Sequence, residues 1–174
     1  MHLGSTWEPN EIRHAAEGYL SAAEMVFETE RMKNGFLAFP NWFVVHHISY
    51  IASELFLKSF AAKVVSLLGE QLGCDNQGVT ISERGHGGLF EKLPQEEKEE
   101  LENHLTPEHI TMLSEMSRPE FTRSRYPYQL NDRNGKPEIF PTGDNGKEIA
   151  QRWLSLARAL SGFRVLVEVV EVND

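Results

Sequence analysis

The segment from Asn41 to Leu68 constrains the fold most, because it has the period of a helix and almost no polar side. Its repeating positions follow steps of three and four residues, which is the α-helical spacing. A surface helix would keep one broad polar face, so this pattern predicts a central helix contacted on two or three sides. The repeat comprises Val44, Ile48, Ile51, Leu55, Ser59 and Ala62, widened by Trp42, Val45, Ala52, Phe56 and Phe60.

A narrow polar ridge remains on this helix: His47, Tyr50, Glu54 and Lys58 follow one another at steps of three, four and four. Glu54 four residues before Lys58 is the favourable orientation for an ion pair. Two interpretations of the ridge stay open. It lines a groove in which His47, Glu54 and Lys58 contact a ligand, or it holds helices together through interior hydrogen bonds.

The flanking segments also predict helices. Residues 8–32 carry one apolar stripe, and residues 144–169 carry another that continues through Gly162. The short connection at 35–40 implies an antiparallel hairpin of the first two helices. The first stripe is Ile12, Ala15, Tyr19, Ala22 and Val26; the last is Ile149, Trp153, Leu156, Leu160, Phe163, Val167 and Val170.

Shorter helices are expected between these long ones. Residues 95–105 form an acidic segment of the kind that usually makes a solvated helix face, and Thr106-Pro107 is a start signal for the next helix. The whole chain, 1–174, is therefore predicted to be a single all-α domain. It would be a helical bundle of two to three long antiparallel helices plus short ones.

Composition narrows the class of protein. The chain has 174 residues, a single cysteine (Cys74) and a formal net charge of −9. We expect a cytoplasmic protein with no intramolecular disulfide, no signal peptide and no membrane span, since the central helix carries histidine and charge. No metal-ligand spacing, phosphate-binding glycine loop or nucleophile elbow occurs, so no cofactor and no metal are expected.

One segment differs from this acidic background. Residues 118–146 lose the helical period, are rich in proline and glycine, and predict a long irregular excursion. Within it, Arg123, Arg125 and Tyr126 lie in a net positive run that also contains Arg118, Arg133 and Lys136. Arginine binds phosphate with two parallel hydrogen bonds, and tyrosine stacks on bases. The alternative is that these arginines pair with Glu54 or with the acidic segment.

His86 stands at a glycine-flanked turn before a short helix. It can cap that helix or contact the central one, or it can act as a general acid or base. Because no catalytic partner stands near it in the sequence, the structural role is the expectation.

The layout resembles the HEPN superfamily. The features that carry the resemblance span roughly Gly18 to Pro127. They are a first helix, the central run IASELFLKSFAAK, a loop, the pattern His86, Leu89 and Leu93, and the tripeptide RYP at 125–127. The resemblance implies a small all-helical domain that forms a homodimer.

For function, the resemblance implies one of two branches. Many HEPN domains are metal-independent ribonucleases of defence and toxin–antitoxin systems, with an arginine followed after four to six residues by a histidine. No arginine of this chain has a histidine at that spacing. The expectation is therefore the other branch, a non-catalytic module that binds RNA, nucleotide or another phosphate-bearing ligand, or assembles with a partner such as a nucleotidyltransferase.

The alternative is a ribonuclease with a non-standard set of residues. In it, His86 or His47 would transfer the proton and Arg123 or Arg125 would stabilise charge at the phosphate.

Overall fold

The computed structural model describes residues 9–33, 41–71, 90, 93, 95–116 and 143–164, with side chains described except at 9, 61–71, 115–116 and 143. These residues form five helices and no strand, which confirms the prediction of an all-α bundle. The helices are α1 (Pro9–Arg31), α2 (Trp42–Gln71), α3 (Gln95–His104), α4 (Pro107–Met116) and α5 (Gly143–Gly162). Of the predicted excursion at 118–146, residues 118–142 lie outside the described residues.

Helix α2 is central, as its sequence predicts, because α1 and α5 both pack along it. The rings of Phe27 and Trp42 lie 5.5 Å apart, so the end of α1 meets the start of α2 and the two helices are antiparallel. At the other end, Phe60 of α2 lies 5.2 Å from Phe163, just beyond α5. Helix α5 therefore runs parallel to α2 and antiparallel to α1.

A buried carboxylate joins the first two helices. Glu30, only 6% exposed, accepts hydrogen bonds from the Lys33 ammonium at 2.6 Å and from the backbone N–H of Asn41 at 2.5 Å. Burial alone would raise the pKa of Glu30, but the hydrogen bonds to Lys33 and Asn41 and the Lys33 charge together lower it. The carboxylate thus holds the hairpin in its ionised form.

The α1 stripe that faces the core differs from the predicted one. The structure buries Ile12, Ala16, Leu20, Ala23 and Phe27. Of the predicted stripe, Ala15 and Tyr19 are exposed, while Ala22 and Val26 are half-buried. Two apolar stripes run side by side on this helix, and the one with Leu20 and Phe27 removes the larger apolar area from water. On α2, similarly, the widening residues Val45, Ala52 and Phe56 are the fully buried ones, and Ile48 and Leu55 are half-buried.

The prediction that α5 continues to residue 169 is wrong, because the helix ends at Gly162 and Phe163 and Arg164 are not helical. Donors from other elements bind the carbonyl groups of its last turn. Arg13 of α1 donates to the carbonyls of Ser161 (2.6 Å) and Phe163 (3.2 Å), and His104 Nε2 lies 2.9 Å from that of Ala159. Positive charge at a helix C-terminus opposes the negative end of the helix dipole.

Helices α3 and α4 pack along the second half of α5, where His104 contacts Ala159 and His109 contacts Ser155. Leu101 and Leu105 are buried, whereas Glu96, Glu99, Glu100 and Glu102 are exposed, as predicted for a solvated acidic face. The predicted start of α4 is also confirmed, since Thr106 Oγ accepts the backbone N–H of His109 at 3.2 Å. In the described part of the chain, no helix is long and apolar enough to cross a membrane.

Candidate functional site

The polar ridge of α2 consists of His47, Tyr50, Glu54 and Lys58, and three of these, His47, Glu54 and Lys58, are predicted ligand-binding residues. Its four members have different surroundings. Tyr50 is fully buried, Glu54 is buried, and His47 and Lys58 are half-buried. The ring of His47 stacks on that of Phe43 at 5.8 Å with an angle of 17° between the planes. The ridge thus enters the interior at Tyr50 and Glu54 and reaches the surface at His47 and Lys58.

The predicted ion pair on the ridge is confirmed. Lys58 Nζ lies 2.5 Å from Glu54 Oε1, with the Glu54 side chain 4% exposed and that of Lys58 24% exposed. The aliphatic stem of a lysine can lie along apolar surface while its ammonium stays near water. The arrangement places one buried negative charge and one partly accessible positive charge on the same face of α2.

Behind the ridge, α2 and α5 meet through an aromatic cluster of His46, Tyr50 and Trp153. Trp153 lies 5.6 Å from His46, nearly edge to face at 75°, and 5.1 Å from Tyr50. Tyr50 is fully buried, and His46 and Trp153 are 5% and 4% exposed. Through Tyr50, the polar ridge is therefore in contact with the buried interface between α2 and α5.

Burial sets the charge state of His46. Loss of hydration lowers its pKa to about 4, and the neighbouring charge of His47 acts in the same direction. His46 is therefore neutral at pH 7. A histidine with so low a pKa is unprotonated at neutral pH, so it cannot bind a phosphate as a cation.

A second histidine, His109, pairs with a serine across the α4–α5 contact. Its Nε2 lies 3.1 Å from Ser155 Oγ, and its Nδ1 accepts the backbone N–H of Thr106 at 3.5 Å. A backbone N–H can only donate, so the ring proton stays on Nε2, which donates to Ser155. The nitrogen facing Ser155 consequently cannot accept the serine proton, as a general base would have to.

The surroundings of His109 agree with a structural role. Burial lowers the pKa of His109. The charge of His104 also lowers this pKa, and the charge of Glu108 raises it by a smaller amount than burial lowers it. Ser155 stands inside α5, where backbone N–H groups are used within the helix and cannot stabilise an oxyanion. His109 therefore fixes the start of α4 against α5.

Four predicted ligand-binding residues, His86, Arg123, Arg125 and Tyr126, lie outside the described residues. The structure places the other three, His47, Glu54 and Lys58, on one face of α2. Within the described part of the chain, no group of three or more His, Cys, Asp or Glu side chains could hold a metal ion.

Sequence reasoning missed the His46–Trp153 contact and the His109–Ser155 pair. A signal for the first was present, since His46, Tyr50, Ser53 and Leu57 follow one another at helical spacing, and all four are buried. The second joins α4 to α5 across 46 residues. No local pattern could have identified that pair.

Comparison with known proteins gives no relative. The chain matches no protein-family model, no curated protein and no solved structure. The resemblance to HEPN domains stays a prediction from the sequence.

Proposed function

We propose that this protein is a HEPN-like, non-catalytic module that binds RNA, nucleotide or another phosphate-bearing ligand. The observation that carries the proposal is the run of Arg118, Arg123, Arg125, Arg133 and Lys136, opposed only by Glu120 and Asp132, in a chain of net charge −9. Arginine forks and tyrosine rings of this kind recognise phosphates and bases. Arg123, Arg125 and Tyr126 are the central ligand-binding residues, with His86 beside them.

The ridge of α2 supports the proposal by offering a second set of contacts. Lys58 keeps part of its side chain in solvent, and His47 presents a half-buried ring stacked on Phe43. An ammonium group and a flat ring are the two kinds of group that bind a phosphate and a base. In this proposal Glu54 orients Lys58 by holding its ammonium at 2.5 Å.

Three of the seven histidines favour a structural role over catalysis. His46 is neutral and buried, His109 holds its proton toward Ser155, and His104 contacts the carbonyl of Ala159. Each is committed to the packing of the bundle. A general acid–base residue for RNA cleavage would have to come from elsewhere, and the arginine–histidine spacing of HEPN ribonucleases does not occur in the sequence.

Measurement of RNA binding and RNA cleavage in the presence of a metal chelator tests the proposal. The test variant is Arg123→Ala/Arg125→Ala. The control is Arg152→Ala/Arg158→Ala, which removes the same charge from two exposed ion pairs, with Glu108 and Glu24. We expect binding without cleavage, weakened by salt and by the test variant but only slightly by the control.

Other outcomes separate the competing functions. Metal-independent cleavage that disappears in the test variant would replace the proposal with the ribonuclease alternative, and His47→Ala and His86→Ala would then identify the proton-transfer residue. Absence of binding to RNA and to nucleotides would refute the proposal and favour assembly with a protein partner.

A further inference from the structure

The turn between α3 and α4 contains a reciprocal pair of hydrogen bonds between Thr106 and His109. The hydroxyl oxygen of Thr106 accepts the backbone N–H of His109 at 3.2 Å, and Nδ1 of the His109 ring accepts the backbone N–H of Thr106 at 3.5 Å. Two backbone donors that have no partner within the helix are thereby satisfied. This arrangement is a capping box, in which the second residue is ordinarily glutamate or glutamine rather than histidine.

Histidine makes this capping box dependent on the protonation state of one ring nitrogen. A glutamine oxygen accepts a hydrogen bond whether or not acid is present, whereas Nδ1 of histidine accepts one only through the lone pair of the neutral ring. When the ring takes up a proton, Nδ1 becomes a donor and faces the N–H of Thr106, which is also a donor. The cap then loses one hydrogen bond, and a partly buried N–H loses its acceptor.

The contact of His109 with α5 does not have this sensitivity. Nε2 lies 3.1 Å from Ser155 Oγ and carries the ring proton in the neutral form. Nε2 keeps that proton in the charged ring, so it still donates to Ser155. Protonation therefore disrupts the cap of α4 and leaves the α4–α5 contact at Ser155 in place.

The charged and titratable groups around the ring come from three helices in the described part of the chain. They are Glu108 on α4, His104 on α3 and Arg152 on α5, which forms an ion pair with Glu108. Burial, with His109 only 8% exposed, lowers the pKa of His109; the charge of Glu108 raises this pKa by less, and the charge of His104 lowers it further. The closed cap consequently resists protonation.

Proton uptake and opening of the cap are therefore coupled. Once the first turn of α4 opens, the ring reaches water and regains its ordinary pKa of 6.5. The open form then binds a proton more tightly than the closed form does. As the pH falls below 6.5, the equilibrium shifts toward the open form.

We propose that Thr106 and His109 form a proton-sensitive cap that opens the first turn of α4 when His109 takes up a proton. Further along α4, Met112 and Leu113 are 2% and 1% exposed. Their burial in the core holds the second half of the helix, so the opening is confined to the turn between α3 and α4. The cap thus lowers local stability in mild acid without unfolding the bundle.

Amide hydrogen exchange, followed residue by residue by NMR on the full chain, measures this opening. The amides of Thr106, His109 and Ile110 report on it, because each donates a hydrogen bond within the closed cap or first turn. The test variant is His109→Gln, which restores an ordinary capping-box residue and cannot titrate. Comparing the same amide in both proteins at the same pH cancels the intrinsic pH dependence of exchange.

We expect the ratio of wild-type to variant exchange rates to be constant above pH 7.5, roughly, and to rise as the pH falls below 6.5. Coupling to one proton limits the rise to about tenfold for each pH unit. His14→Gln, at an exposed position of α1, is the matched control and should keep the wild-type pH dependence.

A second comparison, within the wild type, does not depend on any variant. The amide of Ala23, in the core of α1, should not share the increase seen at Thr106, because it opens only when the bundle unfolds. A rate ratio that stays constant between pH 7.5 and 5, roughly, or an equal increase at Ala23 and Thr106, would overturn the proposal. None of these measurements involves RNA, so their outcome is independent of the proposed function.

Discussion

Protonation of His46 should make the fold sensitive to mildly acidic pH. The pKa of His46 is about 4 in the folded protein, against an ordinary value of 6.5. Below pH 6.5 the unfolded chain takes up a proton at this residue and the folded chain does not. Stability is therefore expected to decrease as the pH falls from 6.5 to about 4.

The size of the effect follows from the difference between the two pKa values. At about 1.4 kcal/mol for each pKa unit, the step from 6.5 to about 4 corresponds to about 3 kcal/mol. That is a large part of the 5–15 kcal/mol, roughly, that stabilises a typical domain. Burial of the ring against Trp153, 5.6 Å away, is the physical source of the effect.

Urea unfolding at several pH values between 7.5 and 4.5 measures the effect. His46→Gln keeps a polar side chain of similar size but cannot titrate, so the difference in unfolding free energy between the two proteins isolates His46. As the pH falls, the wild type should lose about 2–3 kcal/mol of unfolding free energy relative to the variant. His14→Gln, at an exposed position of α1, serves as the control. A difference that stays constant between pH 7.5 and 4.5 would refute the reasoning.

Changes at four further residues test contacts between the helices and the cap of α4. Glu30→Gln should destabilise the protein by about 1 kcal/mol at pH 7. Because the pKa of Glu30 is lowered, the difference in unfolding free energy between wild type and variant should vanish only below pH 4.5. Urea unfolding at pH values from 7 to below 4.5 measures it. Arg13→Met removes two hydrogen bonds to the end of α5 and should cost about 2–3 kcal/mol in urea unfolding. Arg158→Met, in an exposed pair, should change less than about 0.5 kcal/mol. Thr106→Ala should cost about 1 kcal/mol in thermal unfolding, and Thr106→Ser should restore most of it.

Local pattern predicted those parts of the fold that depend on residues close together in the chain. The absence of a polar face on α2 predicted its central position, and the spacing of Glu54 and Lys58 predicted their ion pair. Thr106 likewise predicted the start of α4. Glu54 and Lys58, like Thr106 and His109, lie about one helical turn apart, so spacing alone determines whether they meet.

Other features depended on elements distant in sequence. Helix α1 carries two apolar stripes of similar spacing, and only packing against α2 selected the one with Leu20 and Phe27 as its core face. The apolar period continues past Gly162, yet α5 ends there, where Arg13 and His104 bind its last carbonyls. Local periodicity could not show that these donors would be present.

By itself, then, the sequence determined the helical class, the central helix and the local caps and ion pairs, because these follow from periodicity and short-range hydrogen bonding. It also singled out the arginine-rich segment on which the proposed function depends. Tertiary structure alone decided the neutral state of His46 and the pairing of His109 with Ser155, because both follow from burial and from partners on other elements. It also decided which face of α1 remained at the surface.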